Sequence, residues 1–129
     1  MIDGTILLVE DEPLILLDLE FAIEDIGSQF VSTSSVAQAL AAIERADPPI
    51  GVAILDVNLG RGQTCEPVAD ELRRRGIPFI LHSGDLDRRD ETIRRLGARI
   101  IAKPTSAERV VDEAFAEYRQ SGDPVTVPP

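Results

Sequence analysis

The chain is poor in the residues that staple or metallate small domains. Among its 129 residues stand one cysteine, Cys65, and one histidine, His82. A single thiol cannot close an intrachain disulfide, which fits a reducing compartment. One imidazole and one thiol also leave too few ligands for a structural zinc site. Basic residues are scarce: 13 Lys+Arg stand against 23 Asp+Glu, a formal net charge of -10 at pH 7. A field of that sign repels phosphate backbones, which argues against direct nucleic-acid binding. Long hydrophobic runs are lacking too. No stretch reaches the roughly 18–20 apolar residues of a membrane span. The most apolar N-terminal run, Leu14 to Ile26, is broken by Asp18, Glu20, Glu24 and Asp25. Met1-Ile2-Asp3-Gly4 carries no basic region and does not read as a signal peptide. The expectation is a cytoplasmic protein that does not engage a membrane.

What is present is the composition of a globular domain, with 43% hydrophobic and 28% charged residues. The length allows one domain with a modest core. Four runs rich in aliphatic and β-branched residues, Thr5–Val9, Val52–Leu55, Pro78–Leu81 and Arg99–Ala102, read as strands, and Gln29–Ser32 as a weaker one. None alternates cleanly with polar residues, as strands covered on both faces of a parallel sheet do not. Helical segments fall between them, at about Pro13–Ile26, Val36–Arg45, Val68–Arg75, Arg88–Leu96 and Ala107–Gln120. Pro13 suits a first helical turn, Gly27 the residue past a helix end, and Pro48-Pro49 a stop. Strand and helix alternate five times, which predicts an α/β fold with right-handed crossovers. Residues 1–120 are assigned to the domain. Ser121–Pro129, which holds three of the nine prolines, is expected to be a flexible tail.

Ligands in open parallel sheets bind beyond the carboxyl ends of the strands. Glu10-Asp11-Glu12 follow the first strand, Asp56 ends the third with Asn58 two positions on, His82-Ser83-Gly84 follow the fourth, and Lys103-Pro104 follow the fifth. The second strand brings nothing evident. Glu10, Asp11 and Asp56 at one edge would repel one another and raise each other's pKa. A hard divalent cation relieves this, and an all-oxygen donor set with room for water favours Mg²⁺. A cation held by carboxylates beside a lysine and a hydroxyl is an arrangement for binding a phosphoryl group. Aspartate is an accepted nucleophile for such groups, and Asp56, at the end of the central strand, is the candidate acceptor. Any one of these residues alone has an ordinary reading as turn, loop or helix cap. Their joint occurrence in order, at strand-length intervals, carries the inference.

Leu7-Leu8-Val9-Glu10-Asp11-Glu12, Ile54-Leu55-Asp56-Val57-Asn58-Leu59, Ser83-Gly84 and Lys103-Pro104 together resemble a response-regulator receiver domain, from about Thr5 to Arg119. The resemblance implies a flavodoxin-like sheet of order 2-1-3-4-5. It implies that Asp56 takes a phosphoryl group from a histidine kinase or histidine phosphotransfer protein. Asp11, Asp56 and the Asn58 carbonyl would hold Mg²⁺, with Glu10 assisting. Ser83 and Lys103 would contact phosphoryl oxygens, and the Lys103–Pro104 peptide would be cis. A monomer or weak homodimer acting on an unidentified output protein is expected. Two departures stand out: Ile100 occupies the place of the usual switch aromatic, and Leu59-Gly60-Arg61-Gly62 replaces a loop that often carries proline. With Pro67-Val68-Ala69-Asp70 and Pro78-Phe79, they resemble a receiver subgroup of alphaproteobacteria that includes stand-alone members. The glycines read as an adaptable loop.

In the first helix Ile15, Leu19, Ala22, Ile23 and Ile26 share a stripe expected to face the sheet. Leu14, Leu17 and Phe21 lie nearly opposite, either as ordinary surface residues or as a docking face for the phosphodonor. His82 reads as a strand-end residue pointing off the sheet, and Cys65 as an incidental thiol in a polar loop. Two competing functions remain. One is a Mg²⁺-dependent phosphatase or phosphotransferase with Asp56 as nucleophile, disfavoured because Asn58 is a poor general acid. The other is a degenerate receiver that binds unphosphorylated, disfavoured by the complete residue set. The expectation is a phosphoacceptor that is not an enzyme on external substrates.

Overall fold

A computed structural model describes residues 3–84 and 91–121, with side chains undescribed at 91–93. The elements run β1 (Thr5–Val9), α1 (Pro13–Asp25), β2 (Phe30–Thr33), α2 (Val36–Arg45), β3 (Ile50–Asp56), α3 (Glu66–Arg74), β4 (Phe79–Ser83), α4 (Glu91–Leu96), β5 (Ile100–Ala102) and α5 (Ala107–Ser121). The five strands form one parallel sheet in the order β2-β1-β3-β4-β5. This is the flavodoxin-like receiver topology.

Period-two alternation along each strand divides the core in two. Leu7, Val9, Ala53, Leu55, Phe79 and Leu81 pack with Ala39 and Ile43 of α2, Leu72 of α3 and Leu96 of α4. Ile6, Leu8, Val52, Ile54 and Ile80 pack with Leu19 and Ile23 of α1 and Val110, Val111 and Ala114 of α5. Both faces are therefore covered, which is why no strand alternates hydrophobic with polar. Each fully buried Leu or Ile contributes roughly 1.5–3 kcal/mol, so the two clusters hold the strand ends in fixed register.

Several boundaries differ from the sequence expectation. β2 begins one residue late and ends at Thr33, whose hydroxyl donates to the Leu8 carbonyl at 2.7 Å. β3 starts earlier, at Ile50, and runs through Asp56. β4 begins at Phe79 and continues through the polar pair His82-Ser83, because Asp56 and Ile54 of β3 and Ala102 and Ile101 of β5 pair with that stretch or its neighbours. α3 starts at Glu66 with Pro67 in its first turn, where a missing N–H costs nothing. Ser121 closes α5 and is not tail; residues 122–129 lie outside the described residues, as do Arg88–Asp90, the expected start of α4. Ile26 is the cap past the last turn of α1 and is exposed, not sheet-facing. Cys65 caps α3 from a fully buried position in the core, not a polar loop. His82 is also buried within the sheet. Among the described residues no helix is long and apolar enough to cross a membrane.

Candidate functional site

The carboxyl ends of β1, β3, β4 and β5 do bring the predicted set together. Asp56 ends central β3 and Glu10 follows β1, the two strands being paired up to Val9 opposite Leu55. Both acids are buried, while Asp11 is exposed. Oxygens of Glu10, Asp11 and Asp56 all lie within 4.8 Å of one another. β5 is not adjacent to β3; β4 intervenes, and the long lysine stem crosses it. Lys103 Nζ lies 3.0 Å from Glu10 Oε1, 3.4 Å from Asp56 Oδ2 and 3.8 Å from Glu12 Oε1. Its backbone N–H donates to the Ser83 carbonyl at 2.9 Å, which fixes the end of β5 to the end of β4. The Lys103–Pro104 peptide is cis, as the resemblance implied, and so is Asp47–Pro48. Asp11, Glu12, Asp56, Asn58, Gly60, Ser83, Gly84 and Lys103 line one cavity of about 320 Å³.

The electrostatics follow from this crowding. Burial, then the hydrogen bond and charge of Glu10, then Asp11, push the Asp56 carboxyl up to about 8; Lys103 pulls the other way without offsetting them. Burial lowers the Lys103 pKa, but Glu10, Asp56 and Glu12 outweigh it and leave the ammonium more firmly protonated than usual. Three acids around one lysine leave uncompensated negative charge in a partly dry pocket. Oxygen donors that close could hold a hard divalent cation. Asn58, exposed at the rim, offers carbonyl oxygens and a neutral amide and no acidic proton.

Three contributors had no role at the site assigned from the sequence. Thr33, on the strand judged silent, accepts the Glu10 N–H through its carbonyl at 3.0 Å and so positions Glu10. Glu12 reaches the lysine and lines the cavity. Gly60 stands over Asp11: a Cβ built there would lie 3.4 Å from Asp11 Oδ2. A glycine four residues past the acidic strand end was the available signal. His82 is buried with neither ring nitrogen hydrogen-bonded among the described residues, and burial together with the Lys103 charge pushes it down to about 4. It therefore stays neutral through the physiological range. Ile100 packs at the margin of the α3–α4 core, as an ordinary aliphatic would. Leu14, Leu17 and Phe21 are 77%, 43% and 56% exposed on the outer side of α1.

No family model and no curated protein sequence matches the chain. Solved structures do. A response regulator receiver domain protein (CheY-like) from Methanospirillum hungatei JF-1 is 21% identical, with a TM-score of 0.77, over 92% of this chain and 95% of that one. A response regulator receiver protein from Sinorhizobium medicae WSM419 is 23% identical, with a TM-score of 0.77, over 92% and 96%. At those identities the likeness shows the fold. SdrG from Sphingomonas melonis Fr1 is 39% identical over 90% of this chain and 96% of that one, with a TM-score of 0.72. With the sheet order and the ordered residue set at the strand ends, these likenesses lead to one conclusion: the chain belongs to the response-regulator receiver domains.

Proposed function

We propose that this receiver accepts a phosphoryl group on Asp56 from a phosphohistidine donor, a histidine kinase or histidine phosphotransfer protein, and passes the signal on through protein contacts. The observation that carries the proposal is the convergence of Glu10, Asp11 and Asp56 oxygens within 4.8 Å beside the Lys103 ammonium. Glu10, Asp11, Asp56 and the Asn58 carbonyl are the residues that would hold Mg²⁺. When bound, the cation neutralises carboxylates and phosphoryl oxygens. An Asp56 carboxylate oxygen attacks the phosphorus; the O–P bond forms as the donor's P–N bond breaks, and the imidazole leaves. Lys103 and Ser83 face the same cavity and are suited to stabilise the equatorial oxygens. The buried, raised Asp56 needs an ionised carboxylate to act, and a cation beside it favours that form.

Incubation with acetyl phosphate and Mg²⁺, followed by intact mass and by assay of phosphate-ester hydrolysis, tests this reading. One stoichiometric phosphoryl group without sustained ester turnover is the expected result. Sustained turnover would make the protein a phosphatase instead, and no label at all would make it a receiver that works unphosphorylated.

The donor docks, in this account, on Leu14, Leu17 and Phe21, an apolar face that begins two residues after Glu12. Leu14→Asp with Phe21→Asp is expected to slow transfer from the donor protein at least tenfold while labelling by acetyl phosphate stays at the wild-type rate. Unchanged donor transfer would sink the docking assignment and leave the acceptor assignment standing.

A further inference from the structure

The loop between β3 and α3, whose glycines read as adaptable, carries regular backbone pairing. Asn58 and Thr64 form an antiparallel bridge. The Leu59 N–H donates to the Gln63 carbonyl at 3.0 Å, the Gln63 N–H to the Gly60 carbonyl at 2.9 Å, and the Cys65 N–H to the Val57 carbonyl at 2.9 Å. The strands of this small hairpin close on three consecutive residues in the left-handed region, Gly60 (φ 77), Arg61 (φ 53) and Gly62 (φ 74). Leu59 and Cys65 anchor its base in the core. Its turn residue Gly60 lines the same cavity as Asp11 and Asp56.

The two glycines share a backbone conformation but not an environment. A Cβ at Gly62 meets nothing within 4 Å, whereas a Cβ at Gly60 touches Asp11 Oδ2 at 3.4 Å. Asp11 is the one exposed acid of the three, so it offers the open side through which a hydrated cation would enter. Mg²⁺ sheds water reluctantly and keeps several waters in its shell. A methyl group against that oxygen would take the room those waters need.

We infer that Gly60 is a positioning residue for the cation, its missing side chain holding open the solvent side of Asp11 at the turn of a hydrogen-bonded hairpin. The inference rests on the Mg²⁺ reading above. Its test compares Gly60→Ala with Gly62→Ala, two variants carrying the same left-handed cost. Mg²⁺ dissociation constants are measured by calorimetry, and melting temperatures are recorded without metal. Similar losses of melting temperature are expected in both, with Mg²⁺ affinity weakened about fivefold or more in Gly60→Ala and unchanged in Gly62→Ala. If Gly60→Ala does not fold, Gly60→Asn and Gly62→Asn repeat the comparison, since Asn tolerates this region. Equal Mg²⁺ affinity in the position-60 and position-62 variants, or tighter binding with a side chain at 60, overturns the inference alone. Absence of saturable Mg²⁺ binding in the wild type overturns the cation reading and the inference with it.

Discussion

The two ends of the sheet handle charge in opposite ways. At the N-terminal end, Arg99 before β5 pairs with Glu113 and Glu117 of α5, and Arg73 rests over the Phe79 ring. These groups are solvated, and each cation has found a partner. Two cavities open there, of about 570 and 350 Å³. At the C-terminal end the cavity is smaller, about 320 Å³, yet three acids converge on one lysine, and two of them are buried. Cavity size is thus a poor guide to chemistry in this molecule. The informative quantity is charge that the fold brings together and does not neutralise, since burying a charge costs several kcal/mol unless it is matched.

If that contrast is right, removing charge should act strongly at one end and weakly at the other. Lys103→Met should have the largest effect, a loss of about 3 kcal/mol at pH 8 in metal-free protein, because it leaves buried carboxylates unpaired. Denaturant unfolding with and without Mg²⁺ checks it, and added Mg²⁺ should recover part of the loss.

Asp56→Asn should act in the opposite sense, stabilising the metal-free protein by at least about 2 kcal/mol at pH 8. The Asp56 carboxyl sits at about 8 in the fold against 3.8 for the ordinary side chain, so between those values the folded state binds more protons than the unfolded chain. Stability of the wild type therefore falls as pH rises through that window, and the advantage of Asp56→Asn should grow from nothing near pH 4 to its full size near pH 8. His82 runs the other way: its folded value of about 4 against 6.5 makes stability rise with pH between those limits. The Asp56 effect is accordingly read most cleanly from pH 6.5 to 8, by comparing urea midpoints of the two proteins. At the opposite end, Arg99→Ala should leave the melting temperature within experimental error, since exposed ion pairs contribute little.

Much of this was legible in the sequence. α2 spans the expected Val36–Arg45 residue for residue, with Pro48-Pro49 as the legible stop; the Ser35 cap at its start and the extended backbone of Ala46 at its end emerge only in the structure. β1 was equally plain as an unbroken apolar run. The acidic set was legible because each member directly follows a strand, where topology alone delivers it to one edge. What escaped depends on tertiary pairing. His82 and Ser83 look like loop residues until the neighbouring strands continue the ladder past them. The start of α3 was hidden because Pro67 looks like a break and is a first-turn residue. Cys65 looked polar by its neighbours, Thr64 and Glu66, yet the hairpin turns it inward. Thr33 acts through its backbone carbonyl, which has no sequence signature.

The most direct measurement locates the phosphoryl group itself. The protein is treated with acetyl phosphate in Mg²⁺ or in EDTA, and the modified residue is mapped by peptide mass spectrometry. The account predicts a single acyl phosphate on Asp56, formed in Mg²⁺ and nearly absent in EDTA. Label on another residue, or equal label at Asp56 without the cation, would contradict it.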